Sequence, residues 1–98
     1  MKTQREVMTL KAVITTVGKD RVGILAMMAN ACADNQINIL DVSQTILDGI
    51  FTMTMVVDTE KLSVPLADFA AYLQQLGEKN GLVIRLMNKE IFDSMHRV

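Results

Sequence analysis

The apolar residues of this chain follow two periods in a fixed order, and that order restricts the fold more than any other feature. Strand-like runs cover residues 8–17, 37–47, 50–58 and 82–87. Helical spacing covers residues 22–35 and a later segment that begins near Ser63 and ends before Asn80-Gly81. The order is therefore strand, helix, strand, strand, helix, strand, which is the ferredoxin-like split βαβ plan.

This order predicts an α+β sandwich with a four-stranded antiparallel sheet and two helices on one face. Right-handed crossovers place the first and third strands side by side and leave the second and fourth at the edges. A short C-terminal helix is predicted over residues 89–97. The 98 residues suffice for one modest core, so we expect a single domain over 1–98, with a polar tail at 1–7 and a helical extension at 89–98.

Turn residues sharpen the prediction at several points. Asp48-Gly49 is a strong hairpin signal, because both residues tolerate positive φ. Asn80-Gly81 predicts a left-handed end to the second helix, whose start is predicted to be capped by Ser63 with Pro65 in the first turn. The second strand does not keep its apolar residues on one face, which indicates either a bulge or burial of both faces. It is also long and carries few charges, so its edge favours pairing with another copy.

The first strand and first helix set the expected core. In the strand, Ala12 and Ile14 are predicted to face inward and Val13 outward. The helix, predicted over Val22–Asn35, carries small and soft residues on more than one stripe, such as Ala26-Met27-Met28-Ala29. Burial of a second surface by another copy explains this excess, and so does the ordinary helix propensity of alanine.

The stretch between that strand and that helix combines glycines, an acid and bases. Asp20 is the predicted N-cap, Gly18 is predicted to take a positive φ, and Gly23 would let a ligand or backbone approach the helix start. The spare amides of such a helix end favour a carboxylate or phosphate. A capped turn with Lys19 and Arg21 in solvent is the simpler interpretation of the same residues.

Composition excludes several functional classes. The net charge of −1, without a run of bases, gives no basis for binding nucleic acid or an anionic membrane. Phe51 is the only aromatic residue of the first and third strands, and it is predicted to face inward, against RNA-type stacking. The single cysteine, Cys32, and the single histidine, His96, indicate no disulfide, metal site or cofactor. No stretch has membrane-spanning length and no signal segment is evident, so a cytoplasmic protein is expected.

One enzyme class remains open on this evidence. Acylphosphatases have this size and plan, with an arginine in the first loop and an asparagine on the second strand. Arg21 and Asn38 could take those roles, the loop holding a phosphate and Asn38 orienting water. The glycine pattern of the loop differs from theirs, however, and their arginine lies later, at the helix start.

The loop and the second strand together resemble an ACT domain. The resemblance is carried by residues 17–25, Ile37-Asn38-Ile39 and Ser43-Gln44, and it extends from about Leu10 to Met87. It is strongest to small stand-alone bacterial ACT proteins related to the glycine cleavage repressor. The residues that match the family pattern one by one are Gly18, Asp20, Arg21, Gly23 and Asn38. Val22 departs from it, standing where proline is usual.

The resemblance implies a regulatory, ligand-sensing module and not a catalyst. ACT domains pair side by side and hold an amino acid between the first loop of one copy and the second strand of the other. On this basis the expected ligand-binding residues are Gly18, Lys19, Asp20, Arg21, Val22, Gly23, Ile24, Asn38 and Ile39. The expected partners are a second copy, with tetramers left open, an amino acid or similar small carboxylate, and a protein target. A dimeric scaffold without ligand is the alternative.

Overall fold

A computed structural model describes residues 11–96. Its elements in chain order are β1 (Lys11–Lys19), α1 (Ile24–Asp34), β2 (Asn38–Leu47), β3 (Ile50–Asp58), α2 (Leu66–Asn80), β4 (Leu82–Asn88) and α3 (Lys89–Met95). The predicted N-terminal tail, the first residues of the predicted first strand and the last residues of the predicted C-terminal helix lie outside the described range.

The four strands form one antiparallel sheet in the order β2-β3-β1-β4. This confirms the predicted plan, with β1 and β3 central and β2 and β4 at the edges. The register fixes the two ends of the sheet. Lys19 and Leu47 both pair with Ile50 at one end, whereas Lys11 and Asn38 both pair with Asp58 at the other.

The core lies between the sheet and the two long helices. It is aliphatic and rich in methionine, as the composition predicts. Its fully buried members come from alternate positions of β1 and β3 and from one stripe of each helix. The largest of them are Phe69, Ile14, Ile24, Met28, Met53, Met55 and Leu73. Thr16 is the buried polar residue of this group.

On the face of the sheet away from the two long helices, one side chain is less exposed to solvent than predicted. Val13 was expected to face solvent, but it is buried. It pairs with Val56 on one side and Met87 on the other, in the middle of the sheet. α3 follows β4 and contacts both β1 and β4. The period-two pattern therefore predicts the face of the sheet on which Val13 lies, but it does not predict that this side chain is buried.

β2 contains the predicted bulge. The register shifts between Ile39 and Asp41, so Leu40 is the extra residue. The alternative, burial of both faces, is wrong for the chain on its own, since every residue of β2 except the half-buried Ile39 is exposed. This edge strand is the most solvent-exposed strand of the sheet.

Two of the predicted turns are confirmed and one cap is not. Asp48 and Gly49 both have positive φ, at 52° and 79°, and Gly81 ends α2 with φ 68°. The predicted Ser63 cap is wrong, because Pro65 occupies the N-cap position with an extended ψ of 145°. Its carbonyl accepts from the amides three and four residues later, at Asp68 and Phe69.

Candidate functional site

The segment Gly18–Ile24, which we call the helix-start corner, joins β1 to α1. β1 continues through Gly18 to Lys19, so Gly18 does not take the predicted positive φ. A Cβ at Gly18 would lie 2.5 Å from Leu82 Cδ2 and 2.9 Å from the carbonyl oxygen of Gly81. Glycine is needed here because the turn between α2 and β4 approaches the backbone closely.

The left-handed residue of the helix-start corner is Gly23. It is the N-cap of α1, with φ 96° and ψ 0°, and no side chain caps the helix. The predicted Asp20 cap is therefore wrong: Asp20 lies too early to reach the first-turn amides, and its own amide donates to the carbonyl of Gly49 at 2.9 Å. A Cβ at Gly23 would meet nothing within 4 Å, so the surface beside the helix start is open.

The first turn of α1 leaves amides available. The first bond along the helix runs from the Met27 amide to the Gly23 carbonyl, at 2.9 Å. The Ile24 amide faces the Arg21 carbonyl across the turn at Val22-Gly23, whereas the amides of Leu25 and Ala26 have no acceptor within residues 11–96. Such amides and the helix dipole favour an anion at this end. No acidic side chain occupies the first turn.

Arg21 connects the helix-start corner to the end of α2. Its guanidinium donates to Asn80 Oδ1 at 2.8 Å and lies 4.0 Å from Met27 Sδ. Asn80 in turn donates through Nδ2 to the Leu76 carbonyl, at 2.8 Å. A cation is favourable at this helix C-terminus. Because a guanidinium has five N–H donors, this contact leaves others available to a carboxylate.

The remaining predicted residues of the helix-start corner differ in exposure. Lys19 is exposed at the end of β1. Val22 is 96% exposed, the highest value among the exposed large hydrophobic residues. Ile24 is buried in the core, so its side chain packs beneath the helix-start corner and is not accessible to a ligand.

Asn38 and Ile39 lie at the far end of the sheet from the helix-start corner. The corner follows the Lys19–Ile50 pair, whereas Asn38 pairs with Asp58. Ile50 and Asp58 are eight residues apart on β3, roughly 26 Å at about 3.3 Å per residue. Within one chain the structure does not bring these two halves of the predicted site together. Arg21 and Asn38 consequently cannot share a hydrolytic site in a single copy.

A cleft opens beside Asn38, and we call it the Asn38 cleft. It has a volume of about 410 Å³ and is lined by Gln36, Asn38, Asp58, Glu60 and Lys61. Four of these residues were missed from the sequence. The signal that could have found them is the cross-strand pairing of Asn38 with Asp58, which depends on the register of the β2–β3 hairpin.

Other candidate chemistry is sparse in the described part of the chain. Burial raises the pKa of the Cys32 thiol to about 11, so this side chain is a protonated core residue at neutral pH. Residues 11–96 hold no group of three or more histidine, cysteine, aspartate or glutamate side chains placed to bind a metal. None of the helices in this range is long and apolar enough to cross a bilayer.

Comparison with known proteins decides the family. Residues 11–87 match the family model described as the ACT domain. The chain belongs to the ACT domain family. ACT domains are generally regulatory domains that bind small molecules, amino acids in particular.

The relatives of this ACT domain include proteins of similar length. A UPF0237 protein of Neisseria meningitidis is 45% identical over 87 residues, covering 89% of this chain and 97% of its own. The solved ACT domain protein from Streptococcus pneumoniae is 35% identical with a TM-score of 0.75, over 84% of this chain and 92% of that one. A solved structure of a proposed glycine cleavage system transcriptional repressor is 26% identical with a TM-score of 0.66, over 78% of this chain and 43% of the other.

Proposed function

We propose that this ACT domain is a regulatory homodimer that binds an amino acid between its two copies and presents the bound state to a partner protein. The observation that carries the proposal is the separation of the helix-start corner from Asn38. Both are predicted to bind the ligand, and they lie at opposite ends of one sheet. Two copies are needed to complete the site.

β2 supplies the surface for pairing. It is an edge strand, and its exposed apolar side chains include Leu40, Val42, Ile46 and Leu47, the last 79% exposed. An unpaired strand edge of this kind favours addition of another strand. Antiparallel pairing of two β2 strands about a twofold axis would place Asn38 of one copy opposite Leu47 of the other. The Leu47 end is the end that carries the helix-start corner.

The chemistry of the two halves is complementary to an α-amino acid. The amides of Leu25 and Ala26 suit the α-carboxylate, since they have no acceptor within residues 11–96 and stand at the positive end of α1. Arg21 lies beside them and keeps unused donors. The Asn38 side chain of the other copy is both donor and acceptor, and it can bind the ammonium group.

Family membership supports a regulatory function. ACT domains generally bind amino acids as regulatory modules, and one solved relative is a proposed transcriptional repressor of the glycine cleavage system. We assign the readout of binding to a partner protein or to further assembly.

The test separates pairing from ligand binding. Light scattering coupled to size exclusion should give a dimer mass for the wild type and a monomer mass for Val42→Lys, which places two like charges near the twofold axis. Val83→Lys is the matched control, because Val83 is a similarly exposed valine (53%, against 37% for Val42) on the other edge strand. It should remain dimeric.

Ligand binding is then measured by thermal unfolding and isothermal titration with the standard amino acids. A ligand at one hundred times its dissociation constant adds about 2.7 kcal/mol of stability. Val42→Lys should lose this effect together with the dimer. A monomeric wild type contradicts the proposal, and a dimer that no amino acid stabilises would identify a purely structural pairing module.

A further inference from the structure

The Asn38 cleft carries both signs of charge. Asp58 and Glu60 are acidic and Lys61 is basic, and all three line the same 410 Å³ cavity with the amides of Gln36 and Asn38. Lys61 forms no ion pair with any residue in the described range. A cavity that presents a carboxylate, an ammonium group and two amides can bind the ammonium group and further polar atoms of a ligand whose α-carboxylate lies at the helix-start corner of the other copy.

Asp58 is held in place for such a role. It pairs directly with Asn38 across the β2–β3 ladder, so the two side chains share the face of the sheet that lies away from α1 and α2. One carboxylate oxygen, Oδ1, accepts from the Glu60 amide at 2.9 Å. This bond restrains the carboxylate, and within residues 11–96 no hydrogen-bond donor contacts its other oxygen, which is the arrangement that a positioned acceptor requires.

Gln36 is an unusual residue for its backbone position. It has φ 59°, in the left-handed region that glycine occupies without strain. The left-handed residue that follows α2 is Gly81, with φ 68°. The chain therefore keeps a long amide side chain after α1 where it uses glycine after α2. Strained residues of this kind cluster at ligand sites, because the side chain is needed there.

The lining of the Asn38 cleft also limits what can enter. Within residues 11–96, the five side chains that line it each end in a polar or charged group. An aliphatic or aromatic ligand side chain would remove water from these groups without replacing its hydrogen bonds, and unpaired polar groups are costly. A ligand side chain with a hydroxyl or an amide replaces the hydrogen bonds of the displaced water, and a ligand without a side chain displaces less of it.

We infer that the Asn38 cleft restricts the bound amino acid to small or polar ones. Asp58 binds the ligand's ammonium group, and Lys61 and Gln36 donate to its oxygen atoms. This inference rests on the proposed function, because it assigns the ligand class and three further binding residues to the same interfacial site. It predicts glycine, serine or asparagine as ligands and excludes leucine and phenylalanine.

The experiment is isothermal titration of the dimeric protein with glycine, serine, asparagine, leucine and phenylalanine. Asp58→Asn and Lys61→Met should each weaken binding of the preferred ligand about tenfold, the loss expected for one charge-assisted hydrogen bond. Lys61→Arg should retain binding. Asp68→Asn is the matched control for Asp58→Asn, since it removes the same charge from an exposed position outside the cleft. Light scattering checks that each variant is a dimer.

Gln36→Gly distinguishes a binding role from a structural one. Relief of the left-handed strain should leave the melting temperature of the ligand-free protein unchanged or higher, while ligand affinity falls. The inference is overturned if the Asp58, Lys61 and Gln36 variants bind like the wild type, or if leucine binds as tightly as serine; the proposed function survives either result. If the wild type binds none of the standard amino acids, the proposed function fails and this inference fails with it.

Discussion

Gly77 offers a prediction in which two effects of opposite sign compete. It lies inside α2 and is buried against β4. In an open helix, alanine is more stabilising than glycine by about 1 kcal/mol. At Gly77, however, an added Cβ would lie 2.5 Å from the Leu82 carbonyl oxygen and 3.2 Å from Ile84 Cγ1. The closer neighbour is backbone of a strand that is hydrogen-bonded to β1, so it cannot rotate away.

The steric effect should prevail in Gly77→Ala. Overpacking of a closed core costs about 1–3 kcal/mol, and a Cβ that lies 2.5 Å from a backbone oxygen belongs in the upper part of that range, at about 2–3 kcal/mol. Subtracting the helix preference of about 1 kcal/mol leaves a net loss of about 1–2 kcal/mol. With an unfolding entropy of roughly 2.1 cal/mol/K per residue, this lowers the melting temperature of a domain of this size by about 5–10 °C.

Differential scanning calorimetry or thermal circular dichroism measures this shift. Gln75→Ala is the control, since Gln75 is exposed on the same helix and should change stability by no more than about 0.5 kcal/mol. A Gly77→Ala protein that melts at or above the wild-type temperature would refute the close α2–β4 approach on which the estimate depends.

Two further predictions concern the core. Thr16 is 0% exposed and its Oγ1 has no hydrogen-bond partner within the described residues. Thr16→Val should therefore raise the free energy of unfolding by about 1 kcal/mol, measured as a higher midpoint of urea unfolding. A lower midpoint would show that the hydroxyl has a partner. The folded pKa of Cys32, about 11, lies above the ordinary value of 9.0, so the unfolded chain loses this proton first and stability should fall as pH rises from 9.0 toward 11. In Cys32→Ala this part of the pH dependence should be missing, and identical pH slopes in the two proteins would contradict the assignment.

The sequence predicts the order and pairing of the strands because those signals are local. Alternation in β3, the Asp48-Gly49 turn and the Gly81 helix end each depend on a few adjacent residues, and all three are confirmed. The edge position of β2 follows from the same order through the crossover rule.

The wrong predictions of backbone conformation, helix capping and burial concern residues whose structure depends on segments distant in the sequence. The left-handed glycine of the helix-start corner is Gly23 and not Gly18, because Gly18 is fixed by the approach of Leu82, sixty-four positions later in the chain. Aspartate is a residue type that favours the N-cap position, but Asp20 lies too far before Ile24 to cap α1. Burial of Val13 likewise depends on its neighbours in the central strand of the sheet.

The candidate site divides in the same way. The helix-start corner and Asn38 can be found from motifs that span a few residues each. The Asn38 cleft cannot, because Gln36 and Lys61 come together only through the register of β2 on β3 and the path of the chain after Asp58. The alternation of apolar residues in each strand does not by itself give the register, which depends on the hairpin turn and on the bulge at Leu40.

The roughly 26 Å that separate the helix-start corner from Asn38 have a consequence for regulation. In the proposed dimeric site a single chain does not bind the ligand, so the response depends on the concentration of the protein as well as on that of the ligand. Two copies fused head to tail would remove this dependence on concentration, because dilution could no longer separate the two halves of the proposed site.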